Sequence, residues 1–508
     1  MPHWPDQPWI LEINVWTWLS GLSSRYGRIT LNSVPGHIWD ELSRAGADGV
    51  WLMGVWRRSK LARSISLLDA RIVSECHGLL ADFSQEDVSG SPYSIAEYVV
   101  DPHLGGPEGL AEARRQLATR GLCMLLDFVP NHVAPDHPWI AEHTEYFVRG
   151  DKNEHQSDPD AFFRAGEVVV ARGRDPYFPP WPDTAQLNAF EPALRAAAVD
   201  TVRTIAEQCD GVRCDMAMLL INRIFSQTWA VRAGMALPTE YWRDLIVEVR
   251  KVRPGFLFVA EAYWDLEWEL LQQGFDYCYD KRLYDRLVEG STERMREHLV
   301  APVGYQRCLI RFLENHDEPR AAAVFSAPRN RVAAVALMTL PGAKLLHEGQ
   351  SAGAKIRLSA HLGRRPEESL DDELRAFYQN LVEVVRAVDL RNGVWQLCQQ
   401  GGWSDDQSCH NLISWCWQVA GRKYLVVLNL SDWRSQGQII PPWNDLGGRD
   451  WHLRNLLPVQ DYGRRSGDEM SAGGLYVELD SHSFHFLELV PLEACFVWEK
   501  PTFPRKSL

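Results

Sequence analysis

Short apolar runs alternate with stretches of helical period along most of the chain. Runs at 9–15, 49–53, 122–128, 211–213, 256–260, 275–279, 308–313 and 344–347 carry the unbroken hydrophobicity expected of strands buried on both faces. Between several of them lie amphipathic helices. The clearest is 192–208, PALRAAAVDTVRTIAEQ, where Leu194, Ala198, Val202 and Ile205 share a face; 265–273 and 328–338 are shorter cases. Strands alternating with helices predict βα units and a parallel sheet, and eight repeats close a (β/α)8 barrel.

Two segments break this rhythm. The stretch 133–188 is rich in Pro, Asp and aromatic residues without a clean period, so it reads as an insertion in the loop after the third strand. Beyond a helix at 373–388, alternating runs at 410–419, 424–430, 475–479 and 484–490 are separated by Gly, Pro, Asn and Asp, which predicts an all-β domain. The expected organisation is a barrel from 1–132 and 189–392, an inserted domain at 133–188 and a C-terminal β-sandwich at 393–508.

Composition narrows the function classes. The chain has 508 residues and a formal net charge of -14, and no Lys/Arg run forms a basic stripe, so nucleic acid and anionic membrane surfaces are not expected partners. No 18-residue apolar stretch predicts a membrane span, and the start MPHWPDQPWI has no signal-peptide pattern. The 10 cysteines include no CxxC pair, which fits neither a disulfide scaffold nor a zinc site. A reduced, cytoplasmic setting is the expectation. The 21 tryptophans suit either a large aromatic core or stacking on sugar rings, and composition leaves both open.

In a barrel of this type the active site forms where the strands end. The third strand ends in Asp127 with Asn131 and His132 beyond it (LDFVPNH), and the fourth is Gly211-Val-Arg213-Cys-Asp215. The fifth delivers Glu261 (FLFVAEAYW), and the seventh ends in Glu314-Asn-His316-Asp317. Acids embedded in apolar runs are costly unless paired or used. Four in register at strand ends, with an arginine and two histidines among them, suit glycosyl transfer through an oxocarbenium-like transition state. One carboxylate attacks the anomeric carbon, and a second protonates the leaving oxygen.

These segments, in this order and approximate spacing, resemble the conserved regions of the α-amylase family, glycoside hydrolase family 13. LDFVPNH, GVRCD, the glutamate of VAEAYW and ENHD resemble its four main motifs. GADGVWLMG around Gly46 and Val50, SPYSIAEY with Tyr93, and TAQLN at Gln186–Asn188 are weaker matches. The resemblance covers essentially the whole chain, including an inserted domain after strand 3 and a C-terminal sandwich.

It implies that Asp215 is the nucleophile, Glu261 the acid/base and Asp317 the transition-state stabiliser. Arg213 would keep the nucleophile ionised, whereas the site of Glu261 should raise its pKa. His132 and His316 would bind the reacting sugar, Tyr93 would stack on it, and Asp127 would support the site from behind. Arg320 resembles an arginine of α-glucosidases that act on oligosaccharides, and Tyr263 and Trp264 suit the acceptor side.

The pattern also departs from the family. Met216-Ala-Met218-Leu219 replaces the Lys and His that usually follow the nucleophile, leaving Asn131 as one calcium ligand where about six oxygens are needed. No cofactor is therefore expected to be required, and calcium is doubtful. His347-Glu348-Gly349-Gln350 after the eighth strand, and Ser94 after Tyr93, are further departures. The leading expectation is a retaining hydrolase of α-1,4-linked glucosides or maltooligosaccharides. A transglycosidase or glucoside isomerase with the same residues, and a non-catalytic carbohydrate-binding protein, are the alternatives.

Overall fold

The computed structural model describes residues 2–492. Eight parallel strands close into a barrel: β1 (Trp9–Asn14), β2 (Gly49–Met53), β3 (Cys123–Phe128), β4 (Gly211–Cys214), β5 (Leu257–Ala260), β6 (Tyr277–Tyr279), β7 (Leu309–Arg311) and β8 (Ala343–His347). Each pairs with its sequence neighbours, and β1 closes the ring on β8 with Trp9 opposite Lys344 and Glu12 opposite His347. All eight lie within the predicted apolar runs or one residue beyond them.

The two-residue period of a strand sorts these side chains. Ile10, Trp51, Leu125, Val259, Tyr279, Ile310 and Leu345 pack together inside the barrel. Their neighbours Leu11, Val50, Leu126, Val212, Phe258 and Ala260 face the outer helices. Helix Pro192–Gln208 buries the predicted stripe of Leu194, Ala198, Val202 and Ile205. It begins on a proline, and the Glu191 carboxylate accepts from the Ala193 amide at 3.1 Å.

Two loops on the catalytic face are elaborated. After β2, a short hairpin of Trp56–Arg58 with Ile95–Val100 brackets two helices, α1 (Lys60–Leu68) and α2 (Ala70–Leu79), which the apolar periodicity had not picked out. After β3, the insertion holds a three-stranded antiparallel sheet of Arg149–Gly150, Phe162–Ala165 and Val168–Ala171. A two-residue ladder of His132–Val133 with Ala185–Gln186 ties its ends together. These strands are too short to print a period on the sequence.

The chain forms two compact units. One runs to Val288 and takes in Gly304–Asn330 and Leu340–Gln379. The other gathers Glu289–Val303, Arg331–Thr339 and the described chain from Asn380. The division therefore falls earlier than the expected 392/393 boundary, within the helix Asp372–Val388. An apolar pattern marks the buried face of a helix without saying which core covers it, so the boundary was not visible in the period.

The second unit contains a six-stranded antiparallel sheet in the order Val394–Leu397, Leu412–Val419, Arg422–Asn429, Phe484–Pro491, Asp450–Leu456 and Val459–Ser466. A three-stranded sheet consists of Gln399–Gly401, Ser435–Ile440 and Leu475–Leu479. Leu412, Leu425, Val427 and Leu487 of the first share one apolar core with Ile439, Leu475 and Val477 of the second, as a β-sandwich requires.

Candidate active site

The same alternation that fills the barrel with apolar side chains turns a set of polar ones into its mouth. Glu12, Asp127, Arg213 and His347 continue the inward rows of β1, β3, β4 and β8, and Arg213 lies directly opposite Asp127 in the ladder. Asp215 and Glu261 follow immediately beyond the ends of their strands.

Arg213 is the centre of the arrangement and is buried. Its Nη1 donates to an Asp215 oxygen at 2.8 Å, its Nη2 lies 2.8 Å from Glu261 Oε2, and Asp127 Oδ1 is 3.7 Å away. The guanidinium also lies 5.2 Å from the ring centroids of both Trp51 and Tyr93. The predicted nucleophile and acid/base thus flank one cation.

Burial pushes the Glu261 carboxyl up to about 7; Arg213 opposes this and Asp215 adds to it. That is the direction a general acid needs. Asp215 departs from the expectation that Arg213 would hold it low. Burial raises its pKa, Arg213 pulls it back, and the net direction is upward. One cation shared among Asp127, Asp215 and Glu261 cannot offset the desolvation of all three. Asp127, pushed up to about 6 by burial, accepts from the Gly54 amide.

Two features of Glu261 lay outside the motifs. Met216 adopts a left-handed backbone (φ 42°) and donates its N–H to Glu261 Oε2 at 2.6 Å. A non-glycine residue holds that conformation only where its surroundings impose it. The Tyr263 hydroxyl donates to the other carboxyl oxygen at 3.1 Å. Trp264, also left-handed at φ 62°, packs edge-on to Tyr177 of the insertion with centroids 4.8 Å apart.

His316 carries a second buried network. Its Nδ1 lies 2.6 Å from Glu12 Oε1, and its Nε2 is 2.7 Å from the Tyr93 hydroxyl and 3.1 Å from Asp317 Oδ2. Burial works against charge on the ring, but Asp317 and Glu12 hold its pKa well above the ordinary histidine value. Burial would raise Asp317 in turn, yet His316 lowers it to about 2. Glu12 was missed by motif reading. Its only signal was an acid inside the apolar run WILEIN, which resembles nothing among the four motifs. His132 is buried against Trp181, with ring centroids 5.2 Å apart, and burial lowers it to about 4, so it is neutral.

Arg320 does not join the carboxylates around Arg213. It is buried, and its Nη1 donates to Glu314 Oε1 at 2.6 Å and to the Glu348 carbonyl at 2.8 Å, with His347 Nδ1 at 2.9 Å. These contacts make it a brace for the loop bearing Asp317. Glu348 is held by two hydrogen bonds from Arg365, and the buried Ser94 donates to the Asp183 carbonyl.

The Asn131 amide exchanges hydrogen bonds with Gln186, and Met218 and Leu219 place buried apolar groups in the turn after the nucleophile. Among the described residues no group of three or more His, Cys, Asp or Glu could hold a metal ion.

The α-amylase catalytic-domain family model matches residues 42–272. The chain is 25% identical over 392 residues to an α-amylase of Haloarcula japonica, covering 75% of this chain and 49% of that protein. It is 26% identical over 231 residues to an α-1,4-glucan:maltose-1-phosphate maltosyltransferase of Cereibacter sphaeroides, covering 42% and 33% respectively. The chain thus spans half or less of the length of these two curated relatives. A maltogenic α-amylase structure from Thermotoga neapolitana shares the fold, with a TM-score of 0.66 and 19% identity over 96% of this chain and 99% of that one. With the catalytic-domain match spanning β2 to β5 and the motif acids brought together at one barrel mouth, this part of the chain is similar to the α-amylase family.

Proposed function

We propose that this protein is a retaining α-glycoside hydrolase acting on α-1,4-linked glucosides or maltooligosaccharides. The observation that carries this reading is the placement of Asp215 and Glu261 at 2.8 Å on two nitrogens of the one buried Arg213 guanidinium. Retention requires two carboxyls across a short gap, about 5–5.5 Å apart.

In the first half-reaction, Asp215 attacks the anomeric carbon and forms a glycosyl ester. The C–O bond to the leaving sugar breaks as Glu261 gives that oxygen its proton. In the second, the Glu261 carboxylate takes a proton from water, whose oxygen attacks the anomeric carbon and releases Asp215. Asp317, Tyr93, His132 and His316 are assigned to the reacting sugar, with Asp317 favouring the positive charge that develops on its ring.

A second reading sends the same ester to a sugar acceptor. It is favoured by the relative from Cereibacter sphaeroides, a maltosyltransferase by name. Product analysis separates the two. Maltooligosaccharides incubated alone and with glucose should show rising reducing ends for hydrolysis. Redistributed chain lengths without new ends indicate transfer, and inertness toward every α-glucoside overturns both.

We also assign the protein to a reducing, cytoplasmic setting without a required cofactor. The nine described cysteines are all free, which is the state such a compartment maintains. Among the described residues no helix is long and apolar enough to cross a membrane.

A further inference from the structure

Most of the described tryptophans are buried or half-buried, but Trp268, Trp403 and Trp433 are exposed. The last two belong to the second unit, where they flank strands of its three-stranded sheet. Composition left core packing and sugar stacking open for such rings, and a ring that water reaches has no part in a core.

In that sheet Ser435–Ile440 is central, with Gln399–Gly401 on one side and Leu475–Leu479 on the other. Alternation sends Ile439, Leu475, Val477 and Leu479 into the sandwich core. The opposite face shows Gln436, Gln438 and Ile440 of the central strand with Tyr476 and Glu478 of its neighbour. Gly401, Gln438 and Tyr476 form one row across the three strands. Trp403, two residues beyond Gly401, brings its ring centroid to 6.0 Å from that of Tyr476, at 56°. A Cβ on Gly401 would meet no atom within 4 Å, so the space over that end of the row is open.

The polar groups of this face match an uncharged partner. Glu478 is paired with Arg434. Both oxygens of Asp406 accept hydrogen bonds, from the Ser408 amide at 2.8 Å and from Gln436 Nε2 at 2.6 Å. The Tyr476 hydroxyl donates to Gln436 Oε1 at 2.6 Å, which fixes the ring. Gln438 Oε1 is buried with no hydrogen-bond partner, an acceptor that calls for a donor. Glutamine amides both donate and accept, as sugar hydroxyls do, and the aromatic rings offer flat faces to pyranose C–H groups. Ile440 is the one aliphatic among the outward side chains just named, too little for the apolar centre of a protein interface.

We propose that this face of the sandwich is a separate carbohydrate-binding site. It takes a short segment of an α-glucan by stacking on Trp403 and Tyr476 and by a hydrogen bond to Gln438, and it holds polymer without acting on it. The choice of α-glucan among neutral saccharides rests on the α-glycoside reading above. None of the residues involved is assigned to catalysis.

The test is native electrophoresis of the whole chain in gels with and without soluble starch, which should retard the wild type. Trp403→Ala and Tyr476→Ala, made singly, should each raise the apparent Kd for starch by about five-fold or more. Gly401→Leu, which fills the open end of the row and removes no ring, should do the same. All three should keep kcat/KM on maltotriose within about two-fold of wild type, because the catalytic acids are untouched.

A wild type that migrates alike with and without starch, or retardation unchanged in every variant that folds, overturns the proposal. So does a wild-type dimer that the variants split while starch retards all of them equally, since the face would then join two copies of the chain. If one variant unfolds, the others decide. Starch retardation that the variants lose, in a wild type inert toward every α-glucoside, upholds this site and refutes the catalytic reading.

Discussion

His316 Nδ1 and Glu12 Oε1 lie 2.6 Å apart, joining the end of β1 to the loop after β7 beneath the catalytic acids. Glu12 is fully buried and also accepts from the His316 amide at 3.3 Å. The contact fixes which ring nitrogen points at Tyr93 and Asp317 and keeps the imidazole charged. Glu12 thereby acts as a positioning residue.

Glu12→Gln should lower kcat/KM by about 10- to 100-fold, the worth of a hydrogen bond between charged groups at ~1.5–3 kcal/mol. In the wild type Asp317 and Glu12 hold the His316 pKa well above the ordinary histidine value; in the variant it falls toward that value. Imidazole nitrogen NMR across pH 5 to 9, a range of about two units either side of neutrality, checks this. An unchanged His316 titration, with activity retained, refutes the positioning role.

Asp215 and Glu261 are separable by leaving group. Asp215→Asn should cost on the order of 10⁴-fold in kcat on every substrate, since the covalent step is lost. Glu261→Gln should be equally damaging on maltooligosaccharides but much milder in releasing fluoride from a glycosyl fluoride, which leaves without a proton. Burst kinetics with the fluoride would report the accumulating ester. Identical losses for both variants on both substrates would count against the assigned roles.

Chelation should leave activity intact. The Asn131 side chain is already committed to Gln186, and the turn after Asp215 is apolar. Assays after exhaustive treatment with a calcium chelator, with and without calcium restored, decide the matter. Activity lost and then recovered with calcium would contradict this reading.

Glu267 offers a stability prediction with a definite sign. It is 5% exposed, and burial pushes its carboxyl up to about 7 from an ordinary 4.5. A folded-state pKa above the unfolded one means that folding favours the protonated acid. Stability therefore declines as pH rises from about 4.5 to 7 and is flat above that. Each tenfold difference in proton affinity between the folded and unfolded chain is worth about 1.4 kcal/mol. Glu267→Gln should therefore stabilise the protein by up to about 3.5 kcal/mol at pH above 7 and by little near pH 4. Thermal melts of both proteins at the two pH values provide the comparison, and a gain independent of pH would disprove the linkage.

By itself the sequence determined the eight strands, the barrel and the acids at strand ends. Buried parallel strands must be apolar throughout, so Asp127, Asp215 and Glu261 stand out against their runs. It did not disclose α1, α2 or the small inserted sheet, whose elements are short and mostly surface-facing. Only the tertiary structure decided that Glu12 braces His316 across 304 residues, that Arg320 is committed to Glu314, and that Arg213 serves three acids at once. The reason is physical. Hydrophobic period is a local property written along one strand, whereas charge pairing depends on register between strands distant in the chain, which is set only when the barrel closes.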